Sequence, residues 1–274
     1  KLKKNKFSNF GIASALILSA ASALIYEVVA TEILFFYYIR SSYSLSTVFG
    51  VFLAGLGIGS FLIYILKDKI KNSRLFFGLL QIAIAIYSFF ILANLENIVL
   101  KISAWQIFYS STLLLLFPAI CLGAIFPLAG DIFKKEKKDI IGLVYASDLL
   151  GAVVGSFISG FWLVPSFGNH ATILVGACLN LLSALIILPK SLKKVCIATF
   201  LILALLNYQG PTAIVKGGQF NTMKNNLLFL AYSPYGEVKV DFNSTLYINN
   251  IDMCSMQYPS DTSEIKMVDY AVEP

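Results

Sequence analysis

Residues 9–31, NFGIASALILSAASALIYEVVAT, carry one charge, Glu27. Wound as a helix, this stretch is about 35 Å long, enough to cross the hydrocarbon of a bilayer. Apolar character continues to Ile39, past Glu32. Further stretches of the same kind lie at 44–66, 75–94, 104–130, 140–165 and 171–189. A seventh, 195–206, has only 12 residues and is flanked by Lys193 and Lys194, whose stems can snorkel. It either spans with local thinning of the bilayer or lies along the interface.

The composition of the whole chain agrees. Of 274 residues 58% are hydrophobic, 14% aromatic and 13% charged, and the mean hydropathy is +0.78. Soluble domains carry about twice that share of charge and cannot hide so much apolar surface. An ordinary soluble enzyme, a disordered chain and a small disulfide scaffold are excluded. The expected fold class is an all-α polytopic membrane bundle of six or seven transmembrane helices, with a small C-terminal β-hairpin region. The domains read as a multi-span part at 1–207, a linker at 208–232 and the hairpin region at 233–274.

Charge assigns the sides. Lys1, Lys3, Lys4 and Lys6 precede the first span. Lys67, Lys69, Lys71 and Arg74 fill the second connection, and Lys134, Lys135, Lys137 and Lys138 the fourth. Lys190, Lys193 and Lys194 fill the sixth. These are 15 of the 21 basic residues, against Arg40 and Lys101 in the opposite connections. By the positive-inside rule the N-terminus is cytoplasmic, in a multi-pass protein of the plasma (inner) membrane. The lipid bilayer is thus the expected partner. The net charge of +6 needs no nucleic acid to explain it.

Within the spans, Glu27 is the most informative polar residue. A carboxylate at that depth is costly unless it is protonated, paired or wetted. It is a candidate intramembrane functional group, the alternative being an interhelical hydrogen bond. Asp148 is the second candidate, the alternative being a cap at a helix start. Gln81 and Asn180 read as interhelical glue. Ser147, Gly151, Gly155 and Ser159 recur every four residues along the fifth span, and Gly55 and Gly59 along the second, as faces where helices approach closely. Pro118 removes a backbone donor inside the fourth span and should kink it; Pro127 follows. Gly59-Ser60-Phe61 recurs as Gly155-Ser156-Phe157, 96 residues later. That offset carries the first three spans onto the next three in inverted orientation, a transporter architecture.

No cysteine pair has zinc-site spacing, and the single His170 sits in the turn-like Gly168-Asn169-His170. No catalytic, cofactor-binding or metal-binding residue is assigned. Beyond residue 208, Val238, Val240 and Phe242 alternate with Glu237, Lys239 and Asp241, a half-buried strand. Asn243-Ser244-Thr245 is the turn and 246–250 the returning strand.

Several stretches resemble a known family. They are Ser22-Ala23-Leu24-Ile25-Tyr26-Glu27-Val28-Val29, Leu53-Ala54-Gly55-Leu56-Gly57-Ile58-Gly59-Ser60, Cys121-Leu122-Gly123-Ala124-Ile125-Phe126-Pro127-Leu128 and Val144-Tyr145-Ala146-Ser147-Asp148-Leu149-Leu150-Gly151. With Ser233-Pro234-Tyr235-Gly236-Glu237-Val238-Lys239-Val240 and Leu246-Tyr247-Ile248-Asn249-Asn250, they resemble the membrane-embedded spermidine synthase-like proteins, homologues of polyamine aminopropyltransferases. The resemblance implies a transferase of polyamine biosynthesis moving an aminopropyl group to putrescine. It also implies a missing or separate methyltransferase-like domain, which would bind decarboxylated S-adenosylmethionine and leave this chain a fragment without a catalytic centre. Gly236, Asn249-Asn250 and Met253 depart from that family's pattern, as do Glu32 and Asp148. The alternative from the residues themselves is a transporter-like or anchoring membrane protein with Glu27 as its functional carboxylate. The oligomeric state is not specified by any of these features.

Overall fold

The computed structural model describes residues 2–38, 41–91, 104–134, 141–208, 227–233, 236–241, 245–248 and 251–255. Two compact units are present, Lys1–Ile214 and Val215–Pro274. The first is helical: α1 (Leu2–Tyr38), α2 (Ser41–Leu66), α3 (Ser73–Phe90), α4 (Ala104–Lys134), α5 (Ile141–Ile158), α6 (Val164–Ile187) and α7 (Lys190–Tyr208). Five helical stretches among the described residues are long and apolar enough to cross a membrane: Phe10–Phe35, Ser42–Lys69, Ser73–Phe90, Phe108–Phe133 and Gly142–Ile187. The last has 46 residues, about 70 Å of helix and twice a bilayer's hydrocarbon. It runs through a π-helical turn at Ser159–Leu163 and breaks at Gly168, whose φ of 75° and ψ of 174° suit glycine alone. The expected spans 140–165 and 171–189 are the two sides of this break. The chain is thus a polytopic helical membrane protein.

Local chemistry sets the other boundaries. α2 gives way to a 3₁₀ turn at Lys67–Lys69, and the Asn72 side chain accepts from the Leu75 N–H at 3.3 Å to start α3. Leu188 is extended ahead of Pro189 (φ −69°, ψ 147°), which ends α6. The short run 195–206 lies in α7, a 19-residue helix that is not among the five apolar stretches. Cys196 on α7 is buried with Ile82, Ala85, Ala177, Leu181, Ala184 and Leu188 of α3 and α6.

The helices pair by exchange between two three-helix units. α2 packs on α4, α5 packs on α1, and α3 packs on α6. Glycines make the first two crossings. A Cβ on Gly59 would fall on the Ile120 carbonyl, and one on Gly55 on Ala119. The residues 96 positions later do the same: Gly155 lies on the Ala21 carbonyl and Gly151 on that of Ile17. Gly123 of α4 adds its own contact against Leu56. The main core runs through α1, α2, α3, α4 and α6, with Tyr26, Phe77, Leu115, Ile125 and Phe133 wholly enclosed. Outward faces of α2, α5 and the π-turn that follows α5 expose Leu53, Phe61, Tyr64, Phe157, Phe161 and Trp162, the apolar surface a bilayer solvates.

The second unit holds a four-stranded antiparallel meander, β1 (Leu227–Ser233), β2 (Gly236–Asp241), β3 (Thr245–Ile248) and β4 (Ile251–Ser255), in that order. Val238 pairs with Ile248 and Val240 with Leu246, which is the expected hairpin. β1 starts inside 208–232, the stretch read as linker; its partner register runs Ser233 to Gly236 and Leu227 to Asp241. The turns at Asn243-Ser244 and Asn249-Asn250 lie outside the described residues.

Candidate functional site

Polar groups inside the helical unit fall into three sets. The first is a brace between α1, α3 and α6. Ser19, Ser22 and Tyr26 stand at i, i+3 and i+7, one face of α1, and all are buried. Asn180 of α6 donates through Nδ2 to the Tyr26 hydroxyl at 2.7 Å. Tyr26 is also hydrogen-bonded with Ser88 of α3, whose own proton goes to the Ile84 carbonyl at 2.7 Å. Ser22 Oγ shares its one proton between Asn180 Oδ1, at 2.5 Å, and the Ser19 carbonyl, at 2.7 Å. Ser183 Oγ donates to the Ala15 carbonyl at 2.7 Å. Donors and acceptors of Asn180 are both used, so this residue is interhelical glue. Gln81 is not: it is fully buried, and neither amide atom has a partner among the described residues.

The second set answers the two prolines of α4. A proline leaves the carbonyl four residues earlier without its helical donor. For Pro118 that carbonyl is Leu114, and Tyr87 of α3 donates its hydroxyl to it at 2.8 Å. For Pro127 it is Gly123, and Ser60 of α2 donates to it at 2.9 Å. Hydroxyls from neighbouring helices thus re-satisfy both freed groups, as a membrane interior requires. The Tyr87 ring also lies against Phe117, with centroids 4.8 Å apart. Sequence reasoning named the prolines and missed Tyr87 and Ser60.

The third set is the pair of carboxylates. Glu27 is half-buried on α1; its backbone carbonyl accepts from Thr31 Oγ1 at 2.8 Å. Asp148 is half-buried on α5, two turns past the helix start at Ile141, so it caps nothing. The side chains of Glu27 and Asp148 make no ion pair or hydrogen bond with the described residues. They are not neighbours. α1 and α5 run parallel, with Gly151 level with Ile17 and Gly160 level with Val28. Asp148 and Glu27 are therefore about 20 Å apart along the bundle axis. Ser147, Gly151, Gly155 and Ser159 are buried, and the two glycines meet α1. At the lysine-rich end, Ser73 of α3 donates to Asp131 of α4 at 2.7 Å. His170 is half-buried two residues past the Gly168 break.

Residues 10–195, α1 through the first turns of α7, match the Major Facilitator Superfamily. The chain belongs to the Major Facilitator Superfamily. This corrects the expected membership of the spermidine synthase-like family, and with it the transferase and polyamine-biosynthesis reading. The physical reason is visible in the stretches that suggested it. Gly55, Gly59, Gly123 and Gly151 lie at helix crossings, and Tyr26 belongs to the brace; residues of these kinds report how helices pack, which polytopic bundles share. A polyamine aminopropyltransferase of Leptospira interrogans serogroup Icterohaemorrhagiae serovar copenhageni (strain Fiocruz L1-130) is 28% identical over 193 residues, 67% of this chain and 37% of that protein. The facilitator chain thus aligns with little more than a third of that relative. No solved structure matches.

Proposed function

We propose that the chain is a transporter-like membrane protein in which Glu27 is the working intramembrane carboxylate. The observation that carries this is the half-buried Glu27 side chain on the central helix α1, with no protein partner among the described residues, in a facilitator-superfamily bundle. A carboxylate held there at a cost of several kcal/mol is suited to a cation or a proton in passage. The exchanged packing of the two three-helix units supports the same reading, because such inverted units are how carriers build two alternating states. The lysine-rich end, which carries the N-terminus, is the cytoplasmic side of a plasma membrane.

The test is flux. Reconstituted into liposomes, the chain should take up a labelled organic cation such as putrescine, or protons followed by an interior dye. Glu27→Gln should abolish uptake while leaving reconstitution yield and thermal unfolding intact. Uptake unchanged by Glu27→Gln would take Glu27 out of the path. The absence of flux for every cation and for protons would sink the transporter reading.

A further inference from the structure

The connection from α2 to α3 encloses a groove of about 450 Å³ at the lysine-rich end of the bundle, a volume in the range of small-ligand sites. Lys69, Lys71 and Asn72 line it, all three exposed. The rest of the lining is apolar and comes from both helices and the turn between them, including Leu66 at the end of α2 and Leu75 and Leu79 of α3. One cavity thus presents ammonium groups beside hydrocarbon.

Its place in the fold gives that pairing a meaning. The apolar stretch Ser42–Lys69 ends and Ser73–Phe90 begins on either side of the groove, so its lysines stand at the boundary of the membrane. Leu79, six residues into α3, lies about 9 Å deeper and is 48% exposed. Charge is one-sided here, with Lys67, Lys69, Lys71 and Arg74 against Asp68. The Asn72 side chain accepts from the Leu75 N–H through Oδ1, which leaves Nδ2 as a further donor.

We propose that this groove holds one anionic phospholipid, with its phosphate on Lys69, Lys71 and Asn72 and the start of an acyl chain along Leu75 and Leu79. Basic pockets beside membrane spans recognise such headgroups. A free phosphate would use the lysines and gain nothing from Leu66, Leu75 and Leu79, whereas a lipid uses both parts of the lining. A zwitterionic headgroup would bring its own cation up to the lysines; a phosphoglycerol headgroup carries none. The site shares no residue with the Glu27 reading and does not depend on it.

Native mass spectrometry of the full chain, released from nanodiscs of equal parts phosphatidylglycerol and phosphatidylcholine with the same acyl chains, tests this. The wild type should retain one phosphatidylglycerol in preference to phosphatidylcholine by roughly fivefold or more. Lys69→Gln with Lys71→Gln should erase that preference. Lys193→Gln with Lys194→Gln removes the same charge from the same end outside the groove and should leave the preference within about twofold of wild type. Equal retention of the two lipids, or of neither, by the wild type overturns the proposal whatever the variants do. So does an equal loss in the two double variants, the result for diffuse attraction to a basic surface. Displacement of the lipid by an equal concentration of soluble glycerol phosphate overturns it as well, because the groove would then be an anion site and not a lipid site.

Discussion

The two three-helix units, α1 to α3 and α4 to α6, solve the same packing problem with different chemistry in their first helices. Each unit's second helix drives glycines into the other's first: Gly55 and Gly59 into α4, Gly151 and Gly155 into α1. α1 runs unbroken and is held mainly through side chains, by Tyr26 and Ser22 against Asn180, with Ser183 adding one bond to its Ala15 carbonyl. α4 carries Pro118 and Pro127 and is held through its own backbone, by Tyr87 and Ser60 on the carbonyls those prolines free. The unit with the intact helix is also the one with Glu27 inside it. A helix that keeps all its backbone bonds can carry the polar burden on side chains. One that gives up two of them spends neighbouring hydroxyls on repair.

The comparison is most easily broken at the glycines. Gly59→Leu and Gly155→Leu should each cost more than about 3 kcal/mol, because the new side chain meets backbone that cannot move aside. Equal losses of folded protein, measured by thermal unfolding in detergent, support equivalent crossings. A tolerant Gly155→Leu beside an intolerant Gly59→Leu would dissolve the equivalence. Next in size is Asn180→Leu, which removes two interhelical bonds, leaves Tyr26 only Ser88 and Ser22 only the Ser19 carbonyl, and should cost about 2 kcal/mol. Its effect belongs to the α1 side alone and should be additive with changes at Tyr87.

The α4 side has a sharper test. Tyr87→Phe removes the donor to the Leu114 carbonyl and should cost about 1 kcal/mol. Pro118→Ala restores an N–H to that carbonyl, so the same Tyr87→Phe change made in a Pro118→Ala background should cost close to nothing. A double-mutant cycle in denaturant-titrated micelles reads this directly, and strict additivity would show that Tyr87 does not answer Pro118. Ser60→Ala with Pro127→Ala should repeat the pattern with a smaller amplitude, below about 1 kcal/mol. Smallest of all is Asp148→Asn. Asp148 is about 20 Å from Glu27 and unpaired among the described residues, and this change should alter flux less than twofold where Glu27→Gln abolishes it.

How far these features were legible beforehand depends on whether the signal is spread or local. Membrane spans are spread over 20 residues each, so hydropathy located six of them, and even the Gly168 break shows as Gly168-Asn169-His170 between two apolar runs. The repeat rested on three matched residues, and what makes it structural is that both glycine pairs, 96 apart, lie at close crossings with the exchanged partner helix, Gly55 on Ala119 and the other three on carbonyl oxygens. β1 escaped notice because Leu227-Leu228-Phe229-Leu230-Ala231-Tyr232-Ser233 lacks the polar alternation that exposes a half-buried strand. Family resemblance misled for a related reason. Short motifs of Gly, Ala and Ser in membrane helices encode close approach, and close approach recurs across bundles with different work to do.

By itself the sequence determined that this protein lives in a bilayer, where its spans lie, and that Pro118 and Pro127 leave carbonyls in need of a donor. These follow from bulk hydrophobicity and from covalent structure, which need no neighbours. Only the tertiary structure decided that Tyr87 and Ser60 supply those donors, that Asn180 is fully bonded while Gln81 is not, and that Glu27 and Asp148 stand apart. Each of these rests on which helix faces which, and between apolar helices in lipid that is decided by close packing and single hydrogen bonds rather than by any long-range pattern.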